Sequence, residues 1–284
     1  VIGPCLNAGG RLDTAKRALE LLRASSRREA DLLAGDLKAL NDSRKEMTQA
    51  GVEEAVKMVE TTALQEDKVL VIFLPDCHES LAGIIAGRIR ERYHKPVFIL
   101  TKAEQGAKGS GRSIENYDMY EEMSKCKALF TKFGGHKMAA GLSLPEENIE
   151  VFRRQLNEKT VLTEEDFCEK VSIDMQMPLR YVTEELVEEL ELLEPFGKGN
   201  TKPVFVEKDM LVLNSRILGK NQNVLKMQVK DLGGTVMDAI YFGEAQECLE
   251  KIRRAGGKIT ATYYPSVNEF RGQKTLQIVI QNYR

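Results

Sequence analysis

Tryptophan is absent from this chain, and histidine occurs only three times. The five cysteines, Cys5, Cys77, Cys126, Cys168 and Cys248, are odd in number and widely spaced, with no CxxC pair. A disulfide framework or a zinc knuckle needs closer spacing. The simplest reading is small, semi-apolar fillers in a reducing compartment, hence a cytoplasmic protein. No run of about 18 apolar residues occurs, so no membrane partner is expected. No charged-then-apolar leader of the secretory type opens the sequence. Neither sign of charge dominates: 41 Lys and Arg stand against 43 Asp and Glu, so any polyanion must be held by local patches. The opening Val1-Ile2-Gly3-Pro4 lacks a Met and reads as the interior of a longer protein. At 284 residues the chain has room for about two domains.

Periodicity orders what is present. Ala15, Ala18, Leu19 and Leu22 have helical spacing. Ser26-Arg27-Arg28-Glu29 fits a capping box, and Leu33, Leu37, Leu40 and Met47 then form a stripe. Val52, Val56 and Val59 extend it, which predicts one long helix over about 27–60, or two kinked at Gly51. Buried strands are expected at 68–74 and 96–100 and a short strand at 139–144, with helices at 80–93, 117–127 and 145–157. Strand–helix–strand order argues for an α/β layer. Residues 161–194 are acidic and read as a solvated inter-domain face. Short alternating segments follow, at 204–206, 210–213, 224–229, 236–242, 258–264 and 275–280, with one helix near 245–254. Five or six short strands with one helix fit an OB-type barrel. The fold class is therefore α/β, preceded by a long connecting helix and followed by an all-β OB-type barrel. The expected boundaries are 1–65, 66–165 and 166–284.

Four motifs carry chemistry. In Lys108-Gly109-Ser110-Gly111-Arg112-Ser113 the glycines admit an anion, the serines offer hydroxyls and Arg112 offers a planar fork, which is either a phosphate clamp or the tip of a flexible hairpin. It lacks Walker spacing. Gly134-Gly135-His136 holds an imidazole in a turn, where it can donate to phosphate or assist proton transfer, or serve as a cap. His78-Glu79-Ser80 opens a helix reaching Gly87-Arg88, without the i+4 histidine that a metal site needs. Asn7 and Arg11 flank small residues in a stretch that reads as a turn before a helix. Between Arg88 and Arg112 seven cations face two acids. In the last third, Arg216, Lys220, Lys226, Lys230 and later cations including Arg271 alternate with Tyr241, Phe242, Tyr263, Tyr264 and Phe270. Aromatics between cations are the signature of single-strand binding, although a barrel also needs such side chains as filler.

The order of these motifs resembles the C-terminal part of the RecJ family, single-strand-specific DNA exonucleases of the DHH phosphoesterase superfamily. The stretches that carry the likeness are Asn7–Arg11, the long helix, His78–Arg88, Lys108–Ser113, Gly134–Gly141 and Leu193–Asn200. The resemblance spans essentially the whole chain. It implies the strand-gripping portion of a metal-dependent 5′→3′ exonuclease of recombination and repair, with a DHH-associated domain and an OB domain. Ser110, Gly111, Arg112 and Ser113 would bind phosphate, together with Gly134, Gly135 and Arg88. His136 would reach the cleft, and Asn7 and Arg11 would lie at the junction with a DHH domain. Tyr263 and Tyr264 are the stacking candidates. Expected partners are single-stranded DNA, the DHH domain and a single-strand-binding protein. Cys5 and Gly9 depart from the family pattern, which has Arg and Ala there. No D-H-H triplet and no Asp-x-Asp cluster occurs, so no metal is expected in this chain; Mn2+ or Mg2+ belongs to the DHH domain, and this chain alone is expected to be inactive. The alternatives are a non-catalytic single-strand-binding module and a DHH-family oligoribonuclease.

Overall fold

The computed structural model describes residues 2–168, 170–270 and 272–284, with Phe270 described by its backbone alone. Arg271 and the Phe270 side chain, expected within the basic and aromatic set, lie outside the described residues, as does Glu169 of the acidic stretch. The chain divides into two units, Val1–Glu169 and Lys170–Arg284.

The stretch around Asn7 is a helix, not a turn: α1 spans Ile2–Leu12 despite its glycines. Ala8 and Gly9 are buried, and a Cβ at Gly9 would stand 3.2 Å from Leu37 Cδ2, so the missing side chain permits close helix packing. Helix α2 spans Lys16–Arg23, but Leu19 and Leu22 of its apolar stripe are exposed. Helix α3 runs unbroken over Arg27–Thr61. Ser26 caps it, accepting from Glu29 N at 3.3 Å, while the Glu29 carboxylate reaches back to Ser25 N at 3.1 Å. Gly51 lies inside this one continuous helix. A Cβ there would stand 2.6 Å from Ile85 Cδ1, so the glycine lets the next long helix approach.

The first unit then builds a sheet from β1 (Leu70–Phe73), β2 (Val97–Lys102), β3 (Ala107–Arg112), β4 (Lys132–His136) and β5 (Ala139–Leu144), in the order β1-β2-β3-β5-β4. Only β1 and β2 pair in parallel. Helices α4 (Ala82–Tyr93), α5 (Met119–Ser124) and α6 (Ile149–Lys159) complete the layer. One sheet face is apolar across its width: Phe98, Leu100, Ala140, Leu142 and Leu144 pack with Met119, Met123, Phe152 and Leu156. The other is apolar only at β1 and β2, where Leu70, Ile72, Val97 and Ile99 meet Ile85, Ile89, Ala55 and Val59.

In the second unit β6 (Met175–Gln176) and α7 (Glu184–Glu191) precede β7 (Phe205–Leu218), β8 (Val224–Lys230), β9 (Val236–Phe242), α8 (Ala245–Arg254), β10 (Lys258–Phe270) and β11 (Gln273–Tyr283). The two segments expected at 204–206 and 210–213 are one strand, β7, bent where Asp209 has φ 52° and its N–H bonds to Thr260 Oγ1 at 3.1 Å. The β7–β8–β9–β11–β10 ladder closes by pairing of β10 with β7 into a five-stranded barrel. Closure removes the free edges that an open sheet would leave. Met210, Leu225, Met227, Val229, Tyr263 and Ile278 fill it. Among the described residues no helix is long and apolar enough to cross a membrane.

Candidate nucleic-acid interface

The glycine-rich Lys108–Arg112 stretch is neither a loop nor a hairpin tip but strand β3, paired to β2 and β5 along its length. Strand alternation then decides which residues meet solvent. Gly109 and Gly111 face the apolar side, so the expected anion approach does not occur there. A Cβ at Gly111 would lie 2.7 Å from Phe98 Cε1, and one at Gly109 2.8 Å from Ile99 O. Both glycines are there for packing. Lys108, Ser110 and Arg112 point to the opposite face.

Register carries this face across two more strands. Arg112 pairs with Ala139, which pairs with His136; Ser110 pairs with Gly141, which pairs with Gly134; Lys108 pairs with Ser143, which pairs with Lys132. The result is three rows of cations or hydroxyls, with only small residues between them. Helix α4 covers this face beside β1, β2 and the end of β3, whereas Gly141, Gly134, His136 and Lys132 remain exposed. A Cβ at Gly134 would meet nothing within 4 Å, so that glycine leaves open floor. Gly135 faces the other way and is fixed by its hairpin partner, since a Cβ would come within 2.6 Å of Ala140 Cα.

Arg112 lies across the first turn of α4, where a Cβ at Gly83 would stand 2.7 Å from its Nη2. Its Nη1 donates to Gly111 O at 2.7 Å. Burial, and then the like charges of Arg11 and Arg90, hold the guanidinium below its usual pKa. Arg11 reaches the same place from α1, donating to Ser80 O at 3.1 Å. Arg90 Nε is buried without a hydrogen-bond partner. The nearby acids are already engaged: Glu79 pairs with Lys108 at 2.9 Å and Glu91 with Arg90 at 3.0 Å. Glu79, Ser80, Lys108, Gly109 and Ser110 line a cleft of about 170 Å³. The cleft is lined by the Lys108–Glu79 pair and the serines, and beside it Arg112, with the like charges of Arg11 and Arg90 acting on it, supplies positive charge that favours an oxyanion.

His136 ends β4 exposed, and its Nδ1 accepts from Met138 N at 3.3 Å. That bond leaves Nε2–H as the outward donor of the neutral ring. Asn7 is exposed one helical turn before Arg11 on α1.

Several expected residues do not join the site. Ser113 is buried and donates to Tyr117 O at 2.6 Å, so its hydroxyl is spent on the turn after β3. Ser113→Ala is therefore expected to lower thermal stability by about 1 kcal/mol and leave strand affinity unchanged, read by melting and by titration. Arg88 points from α4 toward Gln49 on α3, at 3.4 Å, away from the Arg112 row. Tyr263 is 0% exposed, with its hydroxyl donating to Met177 O; Tyr264 is 7% exposed, beneath Phe196 and Lys202. Neither offers a face to a base, which corrects the stacking assignment. Arg90 and Lys132 belong to the cationic face. Only alternation through two glycine-rich strands would have found Lys132, whereas Arg90 already stands among the seven cations between Arg88 and Arg112.

Among the described residues no group of three or more His, Cys, Asp or Glu side chains is placed to hold a metal ion. His78 caps the turn before α4, His94 ends α4 and His136 ends β4, so the donors are dispersed. These residues do not fit a divalent-cation centre.

A mixed sheet with one half-bare cationic face, followed by a closed five-stranded barrel, is the pairing of a DHHA1 domain with an OB domain. The DHHA1 domain family matches residues 66–161 and the RecJ OB domain family matches residues 173–282. The chain belongs to the RecJ family. It is 32% identical over 287 residues to the single-stranded-DNA-specific exonuclease RecJ of Bacillus subtilis, covering 99% of this chain and 36% of that protein. It is 34% identical over 292 residues to the enzyme of the same name from Escherichia coli, covering 99% and 50%. The crystal structure of RecJ in complex with Mg2+ from Thermus thermophilus superimposes with a TM-score of 0.81 at 26% identity, covering 100% of this chain and 42% of that one. The chain thus spans half or less of the length of these relatives.

Proposed function

We propose that this chain is the single-strand grip of a metal-dependent 5′→3′ DNA exonuclease of recombination and repair. In this reading Mn2+ or Mg2+ is held by a DHH domain outside these 284 residues, and this chain supplies binding without cleavage. The observation that carries the reading is the row Arg112–Ala139–His136, with Arg11 and Arg90 at one end and the bare Gly134–Gly141 floor beside it. Cations over a small-residue floor suit a backbone of phosphates, and the open floor leaves room for sugars and bases.

Titration of the 284-residue chain with labelled single-stranded and duplex oligonucleotides tests this. The expected result is tighter binding of the single strand, with log K falling against log salt by about 0.7 per phosphate engaged. No cleavage is expected when Mn2+ is added. Cleavage by the pure chain, abolished by chelator, would refute the division of labour; equal affinity for duplex would refute the grip.

A further inference from the structure

The two sheets treat their edges differently. The barrel of the second unit is closed, so β7 to β11 are each paired on both sides. The sheet of the first unit is open and ends in β1 and β4. Strand β1 is covered: Leu70, Val71 and Ile72 are buried, and just before them the Asn157 side chain accepts from Val69 N at 3.0 Å and donates to Val69 O at 2.9 Å. Strand β4 is not. Lys132, Gly134, Gly135 and His136 are exposed, and among the described residues the β4 backbone pairs only with β5. The two faces that meet at this free edge differ in character. Lys132 and His136 lie on the bare cationic face, and Phe133 lies on the apolar one. Phe133 packs against Phe130 at 5.3 Å and Tyr120 at 6.1 Å between ring centroids, and Tyr120 remains 44% exposed. Among the described residues no carboxylate pairs with Lys127, Lys132 or Lys137, and the neighbouring Glu122 is taken by Lys125. Gly134 and Gly135 leave the middle of the edge without side chains, as where a second backbone comes close.

We propose that the free edge of β4 is a docking site for an extended peptide of a partner protein, added as a further strand, with acidic residues at alternate positions and apolar residues between them. Main-chain hydrogen bonds to β4 supply the affinity, and alternate side chains supply the selection. On an added strand successive side chains fall on opposite faces of the sheet. Those beside Lys132 and His136 are acidic, to pair across the edge, and those beside Phe133 and Tyr120 are apolar, to cover an exposed ring. A second copy of β4 is a poor match, because it brings another lysine to the same edge, and edge lysines are a usual device against self-pairing. The inference goes beyond the strand-grip reading and does not depend on it, since the edge is open whatever crosses the floor beside it.

A labelled peptide of about eight residues, in which Glu alternates with Val and Tyr, is the probe. Anisotropy titration with the 284-residue chain at low salt is expected to saturate, and the same peptide with Lys for Glu is expected not to bind. Methylating alternate backbone nitrogens gives two further probes with the same side chains. One loses the N–H groups that face the edge and is expected to lose binding; the other loses those that face solvent and is expected to keep it. Hydrogen exchange is expected to show new protection within Lys132–His136 and none in β8. Lys132→Glu is expected to keep the wild-type melting curve and lose about fivefold in affinity. Equal binding of the two methylated peptides, or protection elsewhere, would overturn the docking site while the strand-grip reading stands. Failure of the acidic peptide to bind would overturn it as well. Protection of β4 that rises with protein concentration without peptide would make the edge a self-pairing surface and overturn the proposal.

Discussion

Arg112→Ala is expected to weaken single-strand binding by about 1–3 kcal/mol, the loss of a charge-assisted hydrogen bond. It is also expected to flatten the salt dependence by about 0.7, the share of one single-strand phosphate. The effect on stability should have the opposite sign to the effect on binding. In the unliganded protein the Arg112 guanidinium is held below its usual pKa by burial and by Arg11 and Arg90. A cation whose folded pKa is depressed costs stability below that pKa and recovers it only above, so the cost is present in full at any working pH. The alanine variant should therefore melt no lower than wild type while binding more weakly. Oligonucleotide titration from low to moderate salt, paired with thermal melts, reads both quantities. An unchanged slope would take Arg112 off the strand, and a large drop in melting temperature would make it a structural residue.

The sequence showed helices and barrel strands far more clearly than it showed the site. Ser26 and Glu29 announce the start of α3 because a cap is a local device whose hydrogen bonds span three residues. The β8 and β9 segments alternate cleanly because one side faces a barrel core. The two strands that build the cationic face gave no such signal. Glycine is depleted in strands, and Lys108–Arg112 and Lys132–His136 put glycine where apolar residues would mark the buried side. The same residues therefore read as loops, and the phosphate chemistry was assigned to glycines that pack against Phe98 and Ala140 instead. The tyrosines went astray for a different reason. Alternation along β10 sends Ile259, Ala261 and Tyr263 into the barrel and should leave Tyr264 exposed on the other side. Phe196 and Lys202 cover Tyr264 there. That cover comes from the segment before β7, which no local pattern in β10 encodes.

Gly111→Val separates the packing role of the β3 glycines from any direct role in binding. The first added carbon would stand 2.7 Å from Phe98 Cε1 and against Met119 Sδ, both in fully buried residues. Phe98 cannot yield easily, because its ring is wedged edge-on against Phe152 at 5.2 Å between centroids. Overpacking of a dense core costs about 1–3 kcal/mol for extra methylenes, and a branched side chain at this site is expected at or above the upper figure. For a unit of this size that is a fall of several degrees in melting temperature. Strand affinity measured well below the transition should stay near wild type, because residue 111 faces away from the Arg112 row. Gly134→Val reverses the pattern. A Cβ there meets nothing within 4 Å, so stability should hold, while the added bulk rises from the bare floor beside His136 and should weaken strand binding. If Gly111→Val instead abolished binding with an unchanged melt, the glycines would be anion contacts after all, and the division of this sheet into a packed face and a strand face would fail.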